Sequence, residues 1–85
     1  MRTIYKYNLP FQEEQGTLKI PKGYQIIHFG VQSGLPTLWV EVDSDQPSEE
    51  VQYAVFGTGW EIPPDWEHVG TWMESIFVWH LYRRN

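Results

Sequence analysis

Eighty-five residues without a cysteine carry a formal charge of −5, and aromatic side chains make up 16% of the chain. The length predicts a single domain over residues 1–85 with a small core. The missing cysteines exclude disulfides and thiolate zinc sites, and the acidic balance argues against a nucleic-acid polymer as partner, since such partners need a basic face. No apolar run reaches transmembrane length and no charged leader precedes a hydrophobic stretch, so no membrane association is expected and the cytoplasm is the default location. His28, His68 and His80 lack metal-ligand spacing, so neither metal nor cofactor is expected.

Thr3 to Leu9 alternates bulky and polar residues and stops at Pro10, which reads as a first strand. The polar stretch Gln12–Gly16 reads as a turn closed by glycine, and Thr17 to Ile20 as a short second strand ending in the turn Pro21-Lys22-Gly23. In the third strand, Tyr24 to Gln32, alternation places Ile27, Phe29 and Val31 on one face and Ile26, His28 and Gly30 on the other. Ser33-Gly34 with Leu35-Pro36 then forms a short connection to Thr37–Val42, where Leu38, Val40 and Val42 point inward and Thr37, Trp39 and Glu41 outward.

Asp43 to Glu50 contains no apolar side chain except proline and reads as a surface loop without the ligand ladder of a calcium site. Val51 to Phe56 is a fifth strand, with Val51, Tyr53 and Val55 opposed to Gln52, Ala54 and Phe56. Two glycines and two prolines between Gly57 and Pro64 exclude a long regular element there, and at most one helical turn fits Pro64–Glu67. Val69–Trp72 and Ile76–Tyr82 read as two last strands joined by a turn around Met73-Glu74-Ser75. The expected fold is therefore all-β, six to seven antiparallel strands in a small roll, barrel or sandwich around Ile27, Phe29, Val31, Leu38, Val40 and Val55.

No nucleophile elbow, phosphate-binding lysine loop or catalytic cysteine is present, so no catalytic residue is assigned and a binding module is expected rather than an enzyme. Glu67-His68 is no acid–base pair on an extended strand, because neighbours point to opposite faces. The most informative segment is Phe56-Gly57-Thr58-Gly59-Trp60. Glycines let the backbone approach a ligand and offer amide donors to an anion, and Trp60 and Trp66, flanking a proline-stiffened loop, can stack on a planar ring. A tight bend that lets the strand leave the sheet is the plain structural role of the same segment. Arg83 and Arg84 are the side chains available to a phosphate group, from the same chain or from a neighbouring subunit. The expected ligand-binding set is thus Phe56, Gly57, Thr58, Gly59, Trp60, Trp66, Arg83 and Arg84.

Ile4-Tyr5-Lys6-Tyr7, Pro21-Lys22-Gly23, Val31-Gln32 with Gly34 and Pro36, Leu38-Trp39, Val42-Asp43, Phe56-Gly57-Thr58-Gly59, Ile62-Pro63 and Gly70-Thr71 together resemble a family of very small proteins of unknown function from tailed bacteriophages and prophages. The chain departs from that pattern at Trp60, where a histidine often follows the glycine motif, and in Trp66 and the Arg83-Arg84 tail. A role carried by that histidine therefore does not transfer to this chain. The resemblance implies a non-catalytic counter-defence protein in the host cytoplasm. The favoured expectation is a sponge for a small nucleotide-derived host signal. The alternatives are an acidic nucleic-acid mimic that plugs a host defence protein, supported by the −5 charge and the Asp43–Glu50 cluster, and a virion accessory role. The aromatic excess over what so small a core can hold adds an expectation of homo-oligomers.

Overall fold

The computed structural model describes residues 1–9 and 15–85, and in it the period-two patterns become seven strands. These are β1 (Arg2–Asn8), β2 (Gln15–Pro21), β3 (Gln25–Gln32), β4 (Leu35–Asp43), β5 (Ser48–Gly57), β6 (Glu67–Glu74) and β7 (Phe77–Arg84). All pairings are antiparallel and fall into two sheets, of order β1-β4-β3 and β2-β5-β7-β6. The described residues contain no helix, and Pro63–Trp66 is a turn closed by a Trp66 N–H to Pro63 carbonyl bond of 3.4 Å. The strands extend further than their apolar stretches: β5 begins at Ser48, so the acidic loop shrinks to the residues between Asp43 and Ser48. Of the turn read over Gln12–Gly16, Gln15 and Gly16 open β2, while Gln12, Glu13 and Glu14, like Pro10, lie outside the described residues.

The β3–β4 connection is a two-residue hairpin in which Gln32 pairs with Leu35. Ser33 and Gly34 both have positive φ, 52° and 79°, the pair of left-handed conformations that matches the twist of the flanking strands. The β6–β7 turn lies slightly later than the sequence suggested, at Ser75-Ile76, with Glu74 paired to Phe77.

Leu9, Ile20, Val40 and Leu81 are almost wholly buried between the sheets, with Leu38, Val42, Val51, Tyr53 and Trp72 around them. Burial of one such aliphatic side chain is worth about 1.5–3 kcal/mol. The ion pairs Arg2–Glu41, Arg83–Glu67 and Arg84–Asp65 each have a largely exposed partner, where a pair contributes about 0–1 kcal/mol. Apolar packing therefore outweighs surface charge in holding this fold.

Leu38 and Val40 are core residues as expected, and Phe29 and Val55 are partly buried against the core. Ile27 and Val31 are not: they are 49% and 50% exposed. A β-bulge between Ile26 and His28 inserts Ile27 as an extra residue, so Ile26 and Phe29 are the β3 residues that pack on the core. Val31, on the edge strand β3, is exposed although its cross-strand partner Pro36 is fully buried. Thr37, expected to face solvent, is fully buried because its hydroxyl donates to the Leu35 carbonyl (2.9 Å), with the Asn8 side-chain oxygen 3.1 Å away.

Phe29 bridges the sheets. Its ring centroid is 5.7 Å from that of Trp72, and it lies so close over Gly70 that a Cβ there would be 2.2 Å from Phe29 Cδ2. Gly70→Ala is therefore expected to cost about 1–3 kcal/mol by overpacking, read as a lower urea midpoint at unchanged slope. Adding Phe29→Leu should recover part of that loss, since two residues in contact are not additive.

Candidate functional site

β5 ends at Gly57, which pairs with Trp79, so β7 runs on through Val78 and Phe77 beyond the end of β5. The chain leaves β5 by the turn Gly57-Thr58-Gly59-Trp60, closed by a Trp60 N–H to Gly57 carbonyl bond of 3.1 Å. Gly59 takes φ +90° at the third position, a conformation in which a side chain would be strained. The turn folds beside this end of β7 and forms a cleft of about 470 Å³ lined by Gly57, Thr58, Trp60, Ile76, Phe77, Val78 and Trp79.

Three rings wall this cleft. Phe77 stacks on Trp79 (5.8 Å, 23°), and Trp60 meets Trp79 edge to face (5.9 Å, 80°). The Trp60 indole rests on Gly57, where a Cβ would be 2.9 Å from its Cε2 and Nε1. One face of that ring is thus held by backbone while the side chain stays 48% exposed; Phe77 is 56% exposed. A hollow of similar volume at Arg2, Thr3, Ile4 and Glu41 has no aromatic wall, and its two charges are already joined at 2.7 Å.

At Thr58 the cleft lining is joined to a chain of hydrogen bonds on the outer face of the same sheet. Thr58 Oγ1 lies 2.9 Å from His80 Nε2, His80 Nδ1 lies 2.9 Å from Thr71 Oγ1, and Thr71 Oγ1 lies 3.0 Å from His68 Nε2. Thr58 also donates to the Val78 carbonyl at 3.4 Å.

The expected ligand-binding residues fall in three places. Gly57, Thr58 and Trp60 line the cleft, with Gly59 in its turn. Phe56 and Trp66 pack with each other (6.0 Å) on the outer face, where Phe56 also meets Tyr82 (5.4 Å) and Tyr82 meets His68 (5.3 Å). Arg84 joins that cluster: its guanidinium is 4.5 Å from the Trp66 ring centroid, and it donates to Gln52 (2.6 Å) and Asp65 (2.9 Å). Arg83, its neighbour on the strand, turns the other way and donates to the Tyr24 hydroxyl and to Glu67. Arg84 pairs with Gln52, five residues from Gly57 along β5, a separation of about 17 Å. Within one chain, then, the arginines are not brought to the glycine turn, and Trp60 and Trp66 serve different faces.

Phe77, Trp79, Thr71 and His80 were not picked out by the sequence reading as parts of this site. The every-second-residue pattern of Phe77 and Trp79 was visible, but their place opposite Gly57 depends on the β5–β7 pairing, which no local signal carries. At the other end of the molecule, the N-terminal amine binds Asp43 (2.9 Å) and Asp45 (2.6 Å). This amine, and next the Asp45 backbone N–H, hold the Asp43 carboxyl below its ordinary range. Among the described residues, no group of three His, Asp or Glu side chains is placed to hold a metal, and no helix is long and apolar enough to cross a membrane.

The class defined by these features is a two-sheet antiparallel β-sandwich with an aromatic cleft at one end. The chain belongs to the family described as Domain of unknown function (DUF7352), whose model matches residues 1–85. No curated protein and no solved structure matches it. Gly57→Ala is expected to push the Trp60 indole off its seat, weakening the exciton signal of the Trp60–Trp79 pair in circular dichroism while the remaining β signal persists.

Proposed function

We propose that the protein is a non-catalytic capture module whose cleft takes the planar ring of a small nucleotide-derived ligand. The observation that carries this reading is the arrangement of Trp60, Phe77 and Trp79 around one cavity, with Trp60 held against Gly57. Aromatic platforms bind bases by their faces, and a ring already fixed in position loses little freedom on binding. In the phage setting implied by the sequence resemblance, the ligand would be a host immune signal, and the protein would act by removing it from solution.

The acidic cluster gives nucleic-acid mimicry less support. Asp43 and Asp45 are engaged by the N-terminal amine and Glu41 by Arg2, so part of the negative charge is met locally. Self-association belongs to the favoured reading, because Met73 and Ile76 form an apolar hairpin tip, 78% and 86% exposed, beside the cleft.

Calorimetry with adenosine and cyclic nucleotides tests the capture. Trp60→Ala should weaken binding by about 1–3 kcal/mol, or roughly 5–150-fold, with the melting temperature showing that the variant is folded. Equal binding by the folded variant and the parent would remove the cleft from consideration.

A further inference from the structure

None of the described residues that line the cleft is cationic, yet its Thr58 is joined to two imidazoles. The hydrogen-bond chain has a definite direction. Thr58 has one hydroxyl hydrogen, and with that hydrogen on the Val78 carbonyl, which can only accept, Thr58 Oγ1 accepts from His80 Nε2–H. His80 Nδ1 is then a lone pair that accepts from Thr71, and Thr71 accepts from His68 Nε2–H.

A proton added at His80 Nδ1 reverses the inner half of the chain without breaking it. His80 Nδ1–H then donates to Thr71, Thr71 turns its hydrogen to His68 Nε2, and His68 exchanges its Nε2 hydrogen through solvent for one on Nδ1. The relay can therefore take up one positive charge with every partner satisfied. Meanwhile His80 Nε2–H continues to donate to Thr58, whose hydroxyl is free to turn from the long 3.4 Å contact with Val78 toward an anion in the cleft.

From this geometry we infer that Thr58, backed by a protonated His80, binds the phosphate group of the ligand, and that capture is coupled to uptake of one proton shared through Thr71 with His68. The inference rests on the cleft being the ligand site and names the chemistry of its anionic end: a phosphodiester held by the Thr58 hydroxyl with an imidazolium behind it, not by Arg83 or Arg84.

The charged and titratable surroundings of His80 leave this role to it. β5 places Phe56 opposite His80, and its acids, Glu49 and Glu50, lie at the far end of the strand. β6 contributes His68, Glu67 and Glu74; Glu67 is bound to Arg83, and Glu74 lies at the hairpin turn. The loop from β5 to β6 carries Glu61 and Asp65, the latter bound to Arg84. On β7 itself Tyr82 and Arg84 share the face, and Arg84 is held by Gln52 and Asp65.

The test is calorimetry from pH ~5.5 to ~8, the range in which imidazoles change charge, with two probes. Cyclic AMP carries one fixed diester charge throughout, and adenosine carries none. An anion favours the charged imidazole, so cyclic AMP affinity should be greatest at the acid end and fall as the pH rises, by at most about tenfold per pH unit for one linked proton. Adenosine affinity should stay flat, and buffers of different ionisation enthalpy should report proton uptake with cyclic AMP alone. His80→Gln, which retains a donor to Thr58 but cannot be protonated, should remove the pH dependence. His28→Gln should not, because His28 packs on Trp39 in the other sheet (5.3 Å). Adenosine binding together with pH-independent cyclic AMP binding would overturn this inference and leave the cleft reading standing. Binding of neither probe at any pH would overturn both.

Discussion

Around its largely aliphatic core this short chain packs several rings directly on backbone, and rings need room there. Three times in this molecule a glycine supplies that room. Phe29 lies over Gly70 between the sheets, Tyr53 lies over its cross-strand partner Gly16, and Trp60 lies over Gly57 at the cleft. At each position a Cβ would fall within 3 Å of the ring. The first contact sets how closely β3 can approach β6, the second lets a bulky buried side chain fit beside the edge strand β2, and the third fixes the wall of the cleft. The same packing device thus closes the sandwich and shapes its open end.

Much of the fold was legible because its signals are local. Alternating and turn-bounded apolar stretches marked the strands, and the Ser33–Pro36 connection marked the β3–β4 hairpin, of which Ser33 and Gly34 alone, both at positive φ, form the turn. The error in β3 arose where alternation stopped being a reliable guide. One inserted residue, Ile27, reverses the faces on one side of the bulge, and nothing in Gln25-Ile26-Ile27-His28 distinguishes a bulged strand from a regular one. Thr37 was misplaced for a different reason: a hydroxyl that finds a carbonyl two residues away can be buried as readily as an alkyl group.

The site was legible in part. Gly57-Thr58-Gly59-Trp60 was singled out for backbone amides and an indole offered to a ligand; Gly57, Thr58 and Trp60 line the cleft. The opposite wall, Phe77 and Trp79, comes from β7, and which strand lies beside β5 is a matter of topology. Arg83 and Arg84 show the converse limit. Adjacent residues on a strand cannot share a face, so a pair that looks like one basic cluster in sequence becomes two separately engaged guanidiniums, one with Tyr24 and Glu67 and the other with Trp66, Gln52 and Asp65.

The segment from Gly57 to Trp66 makes the two faces of the four-stranded sheet interdependent. Trp60 near its start packs on Gly57 and Trp79, whereas Trp66 at its end packs on Phe56 and carries the Arg84 guanidinium. Phe56 and Gly57 are consecutive and so face opposite ways. The loop therefore passes around the end of β5 and is anchored on both sides, with Pro63 and Pro64 limiting the backbone in between. Thr58 stands at the crossing, bonded to His80 on the outer face while lining the cleft. The aromatic and polar halves of the cleft are thereby held by one short segment, although their side chains belong to opposite faces of the sheet.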